Sequence, residues 1–165
     1  MNCEIEHIYI SPEHNYVGHH GMDPGQNPSI AKEQVTLIAG RGIEGDRYAK
    51  RDPGHPKQIT FFNMDVVDML AKHWEKPVQP QAVRRNVFIR GVDLPSLVGK
   101  KFVLQGIEFE AVDPCPPCVW MDEAVGSGTL KLLAGNGGLR AKIITDGTLS
   151  TGPASLEILP EGDVT

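Results

Sequence analysis

Lys101-Phe-Val-Leu-Gln-Gly-Ile-Glu-Phe-Glu-Ala-Val112 reads as a β-hairpin: Lys101 to Leu104 and Ile107 to Val112 flank Gln105-Gly106, a tight glycine turn. Pro114 then breaks the second strand. Working outward, Leu139 to Thr145, the turn Asp146-Gly147 and the stretch from Thr148 onward read as a second hairpin. Upstream, Val83 to Arg90 reads as a strand with Val83, Arg85, Val87 and Ile89 on one face and Arg84, Asn86, Phe88 and Arg90 on the other. Ile5 to Ile10 alternates apolar and polar residues as a first strand, and Gln34 to Ile38 and Gln58 to Phe62 supply two more. Many short strands, close in sequence and mostly joined by tight turns, favour a closed or nearly closed β-barrel with one or two helices packed outside it.

One helix is well marked. Asn63 suits its N-cap, Val66, Val67, Leu70, Ala71 and Trp74 recur at helical spacing, and Pro77 stops it, so its apolar stripe should pack on a sheet. A shorter helix is expected between Gly126 and Gly135, capped by Ser127 or Thr129. With 165 residues and 40% hydrophobic content, residues 1–165 should form one compact domain with a true core. Eighteen glycines and 13 prolines, spread as turn punctuation, exclude a helical bundle. A net charge of −5 points away from nucleic acid as a partner. The longest apolar runs are too short for a membrane helix, and Met-Asn-Cys-Glu-Ile-Glu lacks the features of a signal peptide, so the expected compartment is the cytoplasm. Three cysteines exclude a fully paired disulfide framework.

Cys115-Pro-Pro-Cys118 carries three readings: a zinc half-site, a dithiol redox pair, or one ligand cysteine beside a bystander. Zinc lacks a second cysteine pair and would need His14, His19, His20, His55 or His73, which show no diagnostic spacing. Redox chemistry of the thioredoxin kind needs the motif at a helix N-terminus, whereas here it follows a strand. Two small buried hydrophobes are the plain alternative. The flanking prolines nevertheless fix the backbone and would hold a thiolate in one position. Arg84 and Asn86, pointing the same way, suit an anion clamp, with solvated or ion-paired arginines as the bland reading. Gly42-Ile-Glu-Gly-Asp-Arg-Tyr48 allows close backbone approach to a ligand, or a plain turn in which Asp46 and Arg47 pair or brace the loop. Asn63 could serve a ligand along with helix N-terminal amides or simply cap, and Arg140 could extend a basic face or lie solvated. The long loop from Ser11 to Pro28, with its histidines at 14, 19 and 20, is of a length that tends to be functional.

Taken in order, Gly42 to Tyr48, Arg84 to Val87, Gly91 to Phe102 and Asp113 to Cys118 resemble the MOSC domain family, named for the C-terminal domain of molybdenum cofactor sulfurases; the resemblance runs from about Ile8 to Gly152. It implies a mainly β fold, a pyruvate kinase β-barrel-like barrel with one or two peripheral helices. It also implies a molybdenum cofactor of the molybdopterin type. Cys118 matches the family's metal or sulfur ligand and would be both metal ligand and catalytic residue, while Cys115 does not match. Arg84, two residues before Asn86, matches the family's arginine. Asn86, Asn63 and Arg140 complete the expected cofactor-binding set. The implied activity is an oxidoreductase acting on an N-hydroxylated small molecule, or transfer of sulfur carried on Cys118. The implied partners are a small-molecule substrate and either a redox partner or a separate pyridoxal-phosphate-dependent cysteine desulfurase, because this chain has no room for a pyridoxal-phosphate domain. A non-catalytic module for a small anion or for zinc is the alternative.

Overall fold

The computed structural model describes residues 1–12, 29–50, 53–115 and 138–161. Its main body is a β-barrel of seven strands. In chain order these are β1 (Asn2–Ile10), β5 (Ile59–Asn63), β6 (Val87–Arg90), β7 (Lys101–Leu104), β8 (Ile107–Pro114), β9 (Leu139–Ile143) and β11 (Gly152–Ile158). They run β11-β7-β8-β9-β5-β6-β1, and β1 closes the ring on β11. The added strand β2 (Ile30–Lys32) pairs with β1, and a small separate sheet has the order β10-β3-β4, from β3 (Gln34–Ile38), β4 (Gly42–Ile43) and β10 (Gly147–Ser150).

Alternation decides the two sides of the wall. Ile59 and Phe61 on β5, Leu139, Ala141 and Ile143 on β9, and Val87 and Ile89 on β6 all belong to the barrel interior. There Phe61, Phe102 and Phe109 pack with ring centroids 5.2–5.8 Å apart. The residues between them face outward. Phe62 and Phe88 join Tyr9, Met64, Val67, Leu70 and Val83 in a second cluster beneath helix α1 (Met64–Trp74). The helix is thus the crossover that lets β5 and β6 pair in parallel, the one parallel ladder among the pairings described. It ends before Pro77: Glu75 turns left-handed (φ 52°), and its N–H reaches the carbonyls of Ala71 and Lys72. Arg90 braces the crossover, bonding Glu6 on β1 and Asp65 and Asp68 on α1.

The barrel and the 101–112 hairpin agree with the sequence reading; Gln105 (φ 52°) and Gly106 (φ 78°) take the doubly left-handed turn that matches strand twist. Two expectations are corrected. Val83 does not open a strand: Pro80–Val83 is a 3-10 turn, Arg84 is left-handed at φ 63°, and β6 starts at Val87, so Arg84 and Asn86 do not share a strand face. Nor do β9 and β10 form a hairpin, since β9 pairs with β5 and β8 while β10 pairs with β3. The Asp146-Gly147 turn instead carries the chain from barrel to small sheet, with the Asp146 carboxylate accepting the Ala39 N–H at 2.6 Å. The expected helix between Gly126 and Gly135 and the histidines at 14, 19 and 20 lie outside the described residues.

Candidate functional site

Across the outside of the barrel wall, the registers of β8, β9, β5, β6 and β1 align one row of polar groups. Asp113 stands opposite Arg140, and Arg140 opposite Thr60. Thr60 bonds Asn86, and Asn86 bonds the backbone of Tyr9. The row begins with an ion pair: Arg140 donates through Nε to Asp113 Oδ1 at 2.7 Å and through a second nitrogen to Asp113 Oδ2. This bond, together with the Asp113 charge, pushes the Arg140 guanidinium further up from its ordinary value against the opposing effect of burial.

Asn86 forms the buried centre. Its Oδ1 accepts from the Thr60 N–H (3.0 Å) and hydroxyl (3.1 Å), and its Nδ2 donates to the Tyr9 carbonyl (3.1 Å) and, at 3.4 Å, to Asp46 Oδ1. Its own N–H donates to Thr60 Oγ1 at 2.9 Å, and the Tyr9 N–H reaches its carbonyl at 2.8 Å. An amide has two donors and one oxygen with two lone pairs. All are engaged within the protein, so Asn86 fixes the start of β6 rather than presenting donors to a ligand.

Asp46 ties the Gly42–Tyr48 segment to the same point. It is 1% exposed, and its carboxylate accepts the Ser11 N–H (2.7 Å) and Tyr48 N–H (3.3 Å) besides the Asn86 amide. Burial raises its pKa above the usual carboxylate value, opposed by those bonds and by the charge of Arg47. Gly42, at φ 155°, lets the start of this segment lie close to two backbones, because a Cβ there would lie 3.0 Å from the Gln58 carbonyl oxygen and 3.1 Å from the Ala49 nitrogen. Arg47 does not bond Asp46. Its guanidinium stacks 4.5 Å from the Tyr48 ring centroid and donates to the Tyr48 hydroxyl at 2.9 Å, while Lys57 Nζ lies 5.1 Å from the same ring.

Arg84 donates to Ser29 Oγ at 2.8 Å, and that hydroxyl lies 3.2 Å from Ser11 Oγ. Arg85 is 8% exposed and passes beside Gly138, whose N-terminal neighbour segment begins at Cys115: the Cys115 N–H donates to the Gly138 carbonyl at 2.8 Å. Gly138 (φ 105°) is obligatory here, since a Cβ would come within 2.5 Å of the Phe61 carbonyl oxygen. Cys115 is buried and unbridged. Cys118 lies outside the described residues. Asn63 occupies the N-cap position of α1 without capping it, and its Oδ1 is buried with no hydrogen-bond partner.

The structure therefore gathers Arg84 and Asn86 at one point, sets Arg140 along the same row, and places Asn63 at the far end of β5. Sequence reasoning gave Asp46, Arg47, Thr60 and Tyr48 too little weight. Thr60 carried no sequence signal, being a polar residue in an apolar strand; Asp46 and Arg47 stood in a quoted segment but with no assigned bond.

A family model described as the MOSC domain matches residues 26–164. The chain belongs to the MOSC domain family. Among solved structures, the YUAD protein from Bacillus subtilis superposes with a TM-score of 0.74 at 19% identity, covering 96% of each chain. YiiM from Geobacillus stearothermophilus gives 0.70 at 15% identity, covering 98% of this chain and 77% of that one, and YiiM from Escherichia coli gives 0.66 at 18%, covering 98% and 71%. These likenesses establish the fold. No curated protein matches the chain.

MOSC domains are linked in general to the molybdenum cofactor. Among the described residues no three His, Cys, Asp or Glu side chains gather as a metal-binding group. The organic part of such a cofactor is a different matter. Among the described residues, Arg47, Lys57, Arg84, Arg85 and Arg140 stand on the segments that carry or adjoin this row, against the carboxylates of Asp46 and Asp113, a local positive excess in a chain of net charge −5. The orphaned Asn63 oxygen is an acceptor suited to a ring N–H. A phosphate-bearing pterin offers both kinds of group, so the residues present fit it. No helix of the described residues is long and apolar enough to cross a membrane.

Proposed function

We propose that this MOSC domain holds a molybdopterin-type cofactor against the outer wall of its barrel and works on it through Cys118. The observation that carries this reading is the cationic, polar row beside the Cys115–Gly138 junction, the point where the segment bearing Cys118 leaves and rejoins the wall. Arg84 and Arg140 would take the anionic end of the cofactor, and Asn63 Oδ1 would accept from a ring N–H. Asn86 holds Arg84 and Thr60 in register instead of touching the ligand. Cys118 would offer a soft thiolate, which neighbouring guanidinium charge favours over the thiol.

When bound, the metal would supply the redox chemistry for removing oxygen from an N-hydroxylated substrate. With a persulfide donor such as a pyridoxal-phosphate-dependent desulfurase, the Cys118 thiolate would instead attack the outer sulfur, forming its own persulfide and releasing the donor's thiolate.

Protein purified anaerobically from a molybdate-fed host should contain about one molybdenum per chain by plasma mass spectrometry, and Cys118→Ser should lose it. Absence of molybdenum from the wild-type protein under those conditions overturns the reading. Loaded protein that reduces an N-hydroxylated amidine with a chemical reductant selects the reductase; loaded protein that does not, yet takes radiolabelled sulfur onto Cys118, selects sulfur carriage.

A further inference from the structure

We infer that Arg47, Tyr48 and Lys57 form a second anion-binding site, separate from the Arg84 clamp, which takes the oxyanion of a small substrate. Arg47 Nε is buried and has no hydrogen-bond partner, although the rest of the guanidinium is held firmly against Tyr48. A charged donor withdrawn from water and left unmade is costly, and an oxyanion is the partner that satisfies it best. The guanidinium is also preorganised. Stacking on the ring (4.5 Å) and the bond to the Tyr48 hydroxyl (2.9 Å) fix its plane, so little side-chain freedom remains to be lost on binding. Tyr48 itself is 3% exposed, and Asp46 accepts its N–H, which anchors this platform to the barrel.

Charge supports the same ligand. Lys57 Nζ lies over the Tyr48 ring at 5.1 Å, so a second cation shares that ring with Arg47. The adjoining Asp46 carboxylate is already committed to Ser11, Tyr48 and Asn86. The Arg84 guanidinium, by contrast, points to Ser29. The two cationic lobes therefore stand on different segments. The inference stands on Arg47, Tyr48 and Lys57 and survives if the cofactor reading fails.

The Arg47 Nε–H resonance, assigned by its loss in Arg47→Lys, reports binding directly in a proton–nitrogen correlation spectrum. Acetate and inorganic phosphate are titrated separately into the whole protein. A saturable shift with acetate identifies a carboxylate ligand; one with phosphate alone identifies a phosphorylated ligand. Arg47→Lys keeps the charge but not the Nε donor and should weaken the binding, measured calorimetrically, at least 10-fold. An Nε–H signal unmoved by both anions at 20-fold molar excess and above overturns the site, as does Arg47→Lys binding equal to wild type. Arg84→Gln should leave the shift in place, and its loss there would merge the two lobes and overturn their separation. Molybdenum content in the Cys118→Ser comparison is read independently of all these signals.

Discussion

At the residue scale, the site is organised by a carboxylate that touches three segments at once. Asp46 takes the Ser11 N–H from the end of β1, the Tyr48 N–H from its own segment and the Asn86 amide at the entry to β6. Its burial raises the folded pKa above the unfolded 3.8, so the folded state binds more protons in the interval between the two values. Titration of Asp46 therefore contributes stability that is fully present below pH 3.8 and is lost as pH rises through the raised folded value. Asp46→Asn has no such titration, and its new NH2 group meets N–H donors where an oxygen stood, which should cost about 1–3 kcal/mol. Urea unfolding of both proteins across that interval should show the wild-type advantage shrinking as pH rises; a gap that stays constant would remove Asp46 as the titrating group. None of this was legible in Gly42-Ile-Glu-Gly-Asp-Arg-Tyr48 itself. The glycines announced a tight approach, but which donors an Asp reaches depends on strands far away in sequence.

At the element scale, what was legible was whatever depends on neighbours in the chain. The hairpin at 101–112, the strand at 34–38 and the helix after Asn63 are each specified by local period and turn chemistry, and each lies where its residues indicated. What failed depends on partners. Arg84-Arg85-Asn86 has the composition of a strand start, yet Arg84 turns left-handed because Asn86 is held by Thr60 and Tyr9 while the arginine turns toward Ser29. Likewise the sequence at 139–150 resembles a hairpin, but the β8 and β3 edges are better partners for its two halves than they are for each other. The first turn of β9 offers a direct check. Gly138 sits at φ 105° with room for no Cβ against the Phe61 carbonyl, so Gly138→Ala combines left-handed strain with a clash against backbone. A loss of about 2–4 kcal/mol in chemical unfolding is expected, together with displacement of Arg85, whose Nε lies 3.5 Å from the added Cβ. Wild-type stability for this variant would show that the junction is not the rigid point on which the site is built.

At the scale of the whole molecule, the barrel closes between its two chain ends. Asn2 stands opposite Ser155 and Ile5 opposite Gly152, while the Met1 amino group bonds the Leu156 carbonyl at 2.8 Å and the Leu156 N–H returns to Met1 at 2.9 Å. Strand β1 also pairs with β6 and β2, and buries Ile5 and Ile8 to 1% exposure in the core. The family match, however, begins at residue 26. A chain restricted to residues 26–165 would keep nearly everything that identifies the family and lose the strand that closes its barrel. The exposed edges of β6 and β11 would then be open to pairing with other chains, and burial lost at Ile5, Ile8 and Ile10 alone is worth several kcal/mol, at about 1.5–3 kcal/mol per side chain, against a usual total of about 5–15 kcal/mol. The shortened chain should aggregate or show no cooperative thermal transition, whereas the full chain should melt in one step; addition of a synthetic peptide spanning residues 1–12 should restore part of that transition by supplying β1. A cooperative, wild-type-like melt of the 26–165 chain without the peptide would show instead that β6 and β11 close on each other, and that the row Asp113, Arg140, Thr60 and Asn86 forms without the Tyr9 backbone that ends it.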